Sequence, residues 1–314
     1  MEASAGAEAR GRPEVSLRAA RPRYGEKIIK GLLVLAAFIS VLTTTGIVLS
    51  LVEETITFFG DVPVGDFLSG TEWSPLFNPP SFGVLPLVSG TLVTSLIAML
   101  VATPLGLGAA VYLSEYARPR VRKTIKPILE LLAGVPTIVF GYFALTFFTP
   151  EILQALFGSS IQIFNALAAG IIIGFLIIPT VASISEDAMS AVPASLREGA
   201  FGLGGSKLQV TTRVVFPAAL SGIVASLVLA MSRAVGETMV VLIAGGLRPQ
   251  WGLNVGESME TMTAFIAATG KGDIATGSIA YKTVFAVGMT LFVITLILNL
   301  FSIRFVRKYR QVYE

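Results

Sequence analysis

The sequence contains no cysteine and no histidine in 314 residues. The first absence excludes disulfides, thiol nucleophiles and thiolate metal sites. The second removes histidine general bases, Ser-His-Asp triads and imidazole ligands. No catalytic residue, metal or cofactor is therefore expected. Charge is scarce as well: Asp, Glu, Lys and Arg make up 14% of the chain, where soluble domains carry about a quarter. Hydrophobic residues reach 54% and mean hydropathy is +0.77. So little charge in so apolar a chain points to a membrane protein, not to the roughly two soluble domains that its length would otherwise suggest.

What is present is a series of long apolar runs. Residues 31–52 carry no charge over 22 positions, and about 20 apolar residues cross the hydrocarbon core of a bilayer. A cleaved signal peptide would show a shorter apolar region ending in small residues; this run continues into Glu53-Glu54, which favours an uncleaved helix. Further runs lie near residues 84–113, 127–149, 164–184, 214–245 and 279–303. Six spans are expected, with both termini on one side of the membrane.

The basic residues choose that side. Nineteen of the 23 Lys and Arg residues fall before Gly31, within 118–126, within 197–213, or after Ile303. The opposite side holds Arg248 and Lys271, while Arg233 and Lys282 lie inside apolar runs, Lys282 near enough to an end to snorkel outward. The first outside loop is acidic, with Glu53, Glu54, Asp61, Asp66 and Glu72 and no basic residue. The positive-inside rule makes both termini cytoplasmic. The pI near 9.2 thus reflects topology, and no nucleic-acid partner is expected.

Glycine and proline recur inside the spans, at Pro104, Gly106, Gly108, Gly134, Pro136 and Gly141. Prolines permit bends at which a path could open. The pair Gly170 and Gly174 suits close helix packing, either within the chain or between two chains.

The loop of residues 185–214 predicts a short helix starting near Pro193 and stopping at Gly204-Gly205, with Leu196, Ala200 and Leu203 on one apolar face. A second helix begins at Ser206 with a capping box to Gln209, and Pro217 marks its entry into the membrane. A short helix held between two spans is either a plain surface loop or a handle for a cytoplasmic partner. Glu198, Ala200, Gly204 and Pro217 fall at the spacing of the EAA loop of ABC importer permeases, with Gly199 in place of the first alanine, Val214 for Ile and Phe216 for Leu. The resemblance implies that Glu198, Gly199, Ala200, Gly204 and Pro217 belong to a coupling loop docking on an ATPase subunit.

Arg233 and Glu237 lie well inside the run 214–245. An arginine at mid-membrane costs about 2.5–3.5 kcal/mol on insertion scales, so it requires a reason. Four residues apart on one helix face, the two charges could offset each other as a structural pair. Alternatively, Arg233 is a cationic way-station for an anion, since a guanidinium matches oxyanions in bidentate geometry, with Glu237 holding or gating it. The string Arg233-Ala234-Val235-Gly236-Glu237-Thr238 resembles the R-A-x-G-E-T hallmark of phosphate-specific ABC permeases, and Met239 and Val241 resemble the PstC-type subunit. Further agreement lies in Pro104–Gly108, Tyr112–Tyr116 and Glu130–Pro136, and the likeness covers about residues 83–305.

The resemblance implies an all-α, six-span permease of the type I ABC importer fold. It implies a substrate path at Arg233, Glu237 and Thr238. It also implies three kinds of partner: an ATPase dimer, a second, PstA-type permease subunit, and an extracytoplasmic phosphate-binding protein, all at a prokaryotic plasma (inner) membrane. The chain would divide into a disordered cytoplasmic tail (1–30), a first span with an acidic loop (31–83), a permease core (84–305) and a cytoplasmic C-terminus (306–314). A permease for sulfate or molybdate, or a gradient-driven secondary transporter, remains an alternative. Gly270-Lys271 is no P-loop, because Phe265 and Gly272 stand where Gly and Ser or Thr are required. Glu257, Glu260 and Asp273 read as a solvated outside loop, not a metal site.

Overall fold

The computed structural model describes residues 24–272 and 274–309. The expected tail before Tyr24, the chain from Arg310 onward and Asp273 lie outside the described residues, and so do the basic residues counted in those stretches. The fold is helical, with one small two-stranded ribbon among the described residues. Five helices are long and apolar enough to cross a membrane: Gly25–Asp61, Leu85–Tyr116 (α3), Thr137–Ser160 (α5), Ala166–Ser190 (α6) and Ile279–Arg304. A sixth span is a broken pair, Lys207–Ala218 (α8) and Leu220–Val235 (α9), bent by 70°.

The first helix, α1, runs Tyr24–Asp61 and the last, α11, Ile279–Tyr309. Residues 24–30, expected within the unstructured tail, are therefore helical. Extending an existing helix by a turn of ordinary helix formers costs little once it is nucleated. The chain divides into two compact units inside α1, residues 1–50 and 51–314. The packing described below belongs to the second unit.

Two expected spans differ from a continuous rod. The run 127–149 is split at Gly134 and Pro136: Pro119–Ala133 forms a separate helix, α4, and the span begins at Thr137. Proline at 136 forces an extended backbone there, which ends one helix and starts the next. The run 214–245 bends after Ala218 and stops at Val235, where Gly236 caps it. A single π-helical turn, Val241–Gly245, follows.

The centre of the bundle is α3 against α6. A side-chain carbon added at Gly170 would lie 2.7 Å from Ile97 Cβ; at Gly174 it would lie 2.7 Å from Val101 Cβ and 3.0 Å from the Ala98 carbonyl. Gly106 faces Val181 in the same way, at 2.7 Å. The Gly170 and Gly174 pattern thus packs two helices of one chain. Around this seam Ala98, Ala102, Ile173, Ile177 and Val181 are buried. The N-terminus of α6 is fixed by buried Asn165, whose Oδ1 accepts from the Ala168 N–H at 2.6 Å.

The first outside loop is itself folded. A short helix α2 (Val64–Ser69) and the antiparallel ribbon β1 (Trp73–Ser74) and β2 (Ser81–Phe82) surround an edge-to-face aromatic chain. Phe58 meets Phe67 at 5.5 Å, Phe67 meets Trp73 at 6.3 Å, and Trp73 meets Phe265 at 5.0 Å. Phe265 belongs to α10 (Met262–Gly270), so this cluster ties the two outside segments together. Lys282 does not snorkel freely: its Nζ pairs with Asp61 at 2.9 Å.

Candidate translocation site and coupling loop

Arg233 lies in the last turn of α9, half-buried. The i, i+4 geometry expected of Arg233 and Glu237 is absent, because the helix ends at Val235 and Gly236 turns the chain. No ion pair joins them among the described residues. Instead the Arg233 Nη1 donates to Thr180 Oγ1 of α6 at 3.2 Å. Glu237 is buried, and its Oε1 accepts from the Met239 and Val240 N–H groups at 3.1 and 3.3 Å. Thr263 Oγ1 donates to the Glu237 carbonyl at 2.7 Å, and Thr238 Oγ1 bonds the Gly236 carbonyl at 3.2 Å.

The break distributes charge in a specific way. Arg233 sits at a helix C-terminus, where unsatisfied carbonyls favour a cation, and Glu237 covers N–H groups at the start of the next turn, where they favour an anion. Each charge is compensated by backbone, not by the other side chain. The guanidinium therefore lacks a carboxylate partner among the described residues and keeps donors available. Thr180 had no signal in the sequence, since a threonine inside an apolar helix has no distinguishing pattern.

The short helix and the capping box expected within residues 185–214 are present. Helix α7 (Ala194–Gly202) starts after Pro193 and ends on Gly204, whose φ is +83°. The Gly204 N–H donates to the Phe201 carbonyl at 2.9 Å and the Gly205 N–H to the Ala200 carbonyl at 3.1 Å. This is a Schellman closure, in which glycine takes the left-handed position without strain. Ser206 and Gln209 form the reciprocal capping box that opens α8. Glu198, Gly199 and Gly204 are exposed, Ala200 is half-buried, and Pro217 is exposed just before the 70° bend. Leu203 is 92% exposed and Leu196 and Phe201 are exposed too, so the apolar stripe is left open.

Arg197 anchors this exposed helix. Its guanidinium donates to the Val192 carbonyl at 2.5 Å, the Met189 carbonyl at 2.7 Å and Glu115 Oε1 at 3.1 Å. The loop is thus tied to the C-terminus of α6 and to the end of α3. Beside it, buried Glu186 pairs with Arg122 and with Lys126 at 2.9 Å, and Lys126 also pairs with Asp187. Burial works against the Lys126 charge, but the hydrogen bonds to Asp187 and Glu186 and their negative charge outweigh it and raise the ammonium above the ordinary lysine range. These residues stood in the sequence only as charges at a span end, counted for topology.

One expectation for the outside loop is corrected. Glu260 is not solvated: it is 6% exposed, and burial alone pushes its carboxyl up to about 8. No group of three or more metal-ligating side chains occurs among the described residues.

Comparison with known proteins agrees with this geometry. Residues 102–311 match the family model described as the binding-protein-dependent transport system inner membrane component. The chain is 34% identical to the "Probable ABC transporter permease protein YqgH" of Bacillus subtilis, over 79% of this chain and 79% of that protein. It is 33% identical to the phosphate transport system permease protein PstC of Mesorhizobium japonicum, over 74% and 75% of the two chains. Its fold resembles a chain in the crystal structure of a bacterial ABC transporter involved in alginate import. That match has a TM-score of 0.62 and 15% identity, and covers 92% of this chain and all of that one. On these matches the chain belongs to the inner-membrane permease family of binding-protein-dependent transport systems.

Proposed function

We propose that this chain is a PstC-type permease subunit of an ATP-driven importer of inorganic phosphate. It works with an ATPase dimer on its cytoplasmic side, a second permease subunit of the PstA type and an extracytoplasmic phosphate-binding protein. Both termini are cytoplasmic, in the plasma membrane of a prokaryote. The single observation that carries this reading is Arg233: a guanidinium at a helix break, within an R-A-x-G-E-T string, held by Thr180 and free of any carboxylate partner among the described residues. An identity of 33% to a phosphate permease over most of both chains supports the substrate.

The mechanism follows from the contacts. ATP-driven closure of the ATPase dimer moves the loop around Glu198, Gly199, Ala200 and Gly204. Arg197 passes that displacement to Met189 and Val192 at the end of α6. Thr180 lies nine residues earlier on the same helix, about 14 Å away at 1.5 Å per residue. Motion of α6 therefore repositions Thr180 and with it Arg233. Phosphate released from the binding protein meets a guanidinium that binds it weakly enough for onward exit, because a tight site would trap the anion. Glu237 fixes the backbone on the far side of the break, and Thr238 adjoins it.

The test is uptake of labelled phosphate into proteoliposomes holding the complete transporter. Arg233→Gln should lower uptake by at least tenfold while the complex still assembles. Undiminished uptake by the variant would refute the way-station. Equal competition by sulfate would favour a general oxyanion permease instead.

A further inference from the structure

A cavity of about 300 Å³ opens between the β1 ribbon and α10, on the face where the outside loops gather. Its walls include Trp73, Phe77, Pro249 and Phe265, and its one titratable lining residue is Glu260. Glu260 is 6% exposed, and its carboxyl has no hydrogen-bond partner among the described residues. Buried polar groups are nearly always satisfied, so a carboxyl without a partner on an apolar cavity calls for a donor, which an ammonium supplies.

The backbone keeps the carboxyl from retreating. A side-chain carbon at Gly90 would sit 2.2 Å from the Glu260 carbonyl, so this segment rests directly on α3. The Glu260 N–H donates to the Arg248 carbonyl at 3.0 Å. Arg248 itself faces Glu257 at 4.0 Å, and Lys271 on the turn after α10 is exposed and not among the lining residues. Across the same ribbon a second cleft, of about 530 Å³, is lined by Asp61, Asp66 and Glu72. Asp61 pairs with Lys282 there, and the other two add negative charge. Asp66 and Glu72 thus make that side of the ribbon acidic.

We propose that this cavity receives a lysine side chain of the extracytoplasmic binding protein, its ammonium against Glu260 and its stem against the aromatic walls. The proposal rests on the function proposed above for the identity of the partner. A compact charge on an apolar four-carbon stem suits an apolar cavity with one carboxylate. Trp73 and Phe265 add attraction for a cation close to their rings. Before docking the carboxyl holds its proton. On docking, the ammonium replaces that proton, which leaves to the outside water. Docking is therefore proton-linked: below about pH 8 the affinity should rise as pH rises, approaching about tenfold per unit, and level off above it.

The chain has two tryptophans, Trp73 and Trp251, so in a Trp251→Phe background all indole emission reports on the cavity. The full chain in lipid nanodiscs is titrated with n-butylammonium chloride, with n-butanol as the uncharged control. The expected result is a saturable emission change with n-butylammonium, at least tenfold tighter at pH 9 than at pH 6, and abolished by Glu260→Gln. In the assembled transporter the same substitution should weaken capture of the binding protein by about tenfold. No saturable change, an equal response to n-butanol, or an unaltered Glu260→Gln variant would overturn the proposal. Phosphate uptake by the wild-type transporter is measured in parallel. A failed titration with intact uptake rejects the cavity alone, and absent uptake rejects the transport reading.

Discussion

Replacing Arg122 and Lys126 together by methionine should cost the fold more than replacing the carboxylate they hold. Glu186 is fully buried, and its partners are Arg122, Lys126 and Ser190, the last two at 2.9 Å. Removing both cations leaves the buried carboxyl with one hydroxyl partner, so it must take up a proton or keep an uncompensated charge. Stranding one member of a buried pair costs about 3–5 kcal/mol. Glu186→Gln is different, because the amide keeps the volume and an acceptor. Arg122 and Lys126, whose side chains are 38% and 26% exposed, can turn toward solvent. That loss should be about 1–2 kcal/mol. The triple variant, with no buried charge, should recover about 2 kcal/mol relative to the double. Denaturation of the purified chain by SDS in mixed micelles, followed by tryptophan emission, measures all three. A double variant no worse than Glu186→Gln, or a triple as unstable as the double, would refute this account of how α4 is held to α6.

Gly174→Val should destabilise the chain by about 1–3 kcal/mol through overpacking against Val101, read in the same titration; a neutral result would mean that α3 and α6 separate easily. Gly204→Val should strain the left-handed closure of α7 by about 1–2 kcal/mol and weaken retention of the ATPase on affinity purification, with Gly204→Asn milder. Glu260 has a carboxyl raised to about 8 from 4.5, so its protonated form is favoured in the fold. Its contribution to stability is complete below about pH 4.5 and is lost as pH rises through about 8, by at most on the order of 5 kcal/mol. Glu260→Gln should flatten that part of the stability profile, and an unchanged slope would count against the buried assignment.

The spans were legible because their signal is compositional: Leu, Ile, Val and Ala over twenty positions leave few other interpretations. The short helix 194–202 and the start of α8 are legible because capping is local, and Ser206, Gln209 and Gly204 signal it whatever lies beside them. The break at Gly236 was not, since a continuous apolar run conceals a helix end that depends on what surrounds it. Arg233 and Glu237 stand out as charges inside an apolar run, but pairing them at i, i+4 assumes an unbroken helix. Thr180, Glu115 and Glu260 needed the tertiary fold, because nothing in the local sequence says that a threonine in α6 faces an arginine 53 residues later. The boundary at Gly134 is hidden in the sequence because Pro127 to Ala133 continues the apolar run of the next span.

The glycine-faced seam between α3 and α6 has a mechanical consequence. Contacts this close leave no slack, so the two helices behave as one stiff beam. Compliance is left to the joints at Gly134–Pro136, Ala219 and Gly236. In the importer proposed above, a push on α7 passes along this beam to the joints, where it becomes rotation. The turnover rate should accordingly track how easily three short hinges bend, while the bundle's centre sets how little of each stroke is wasted.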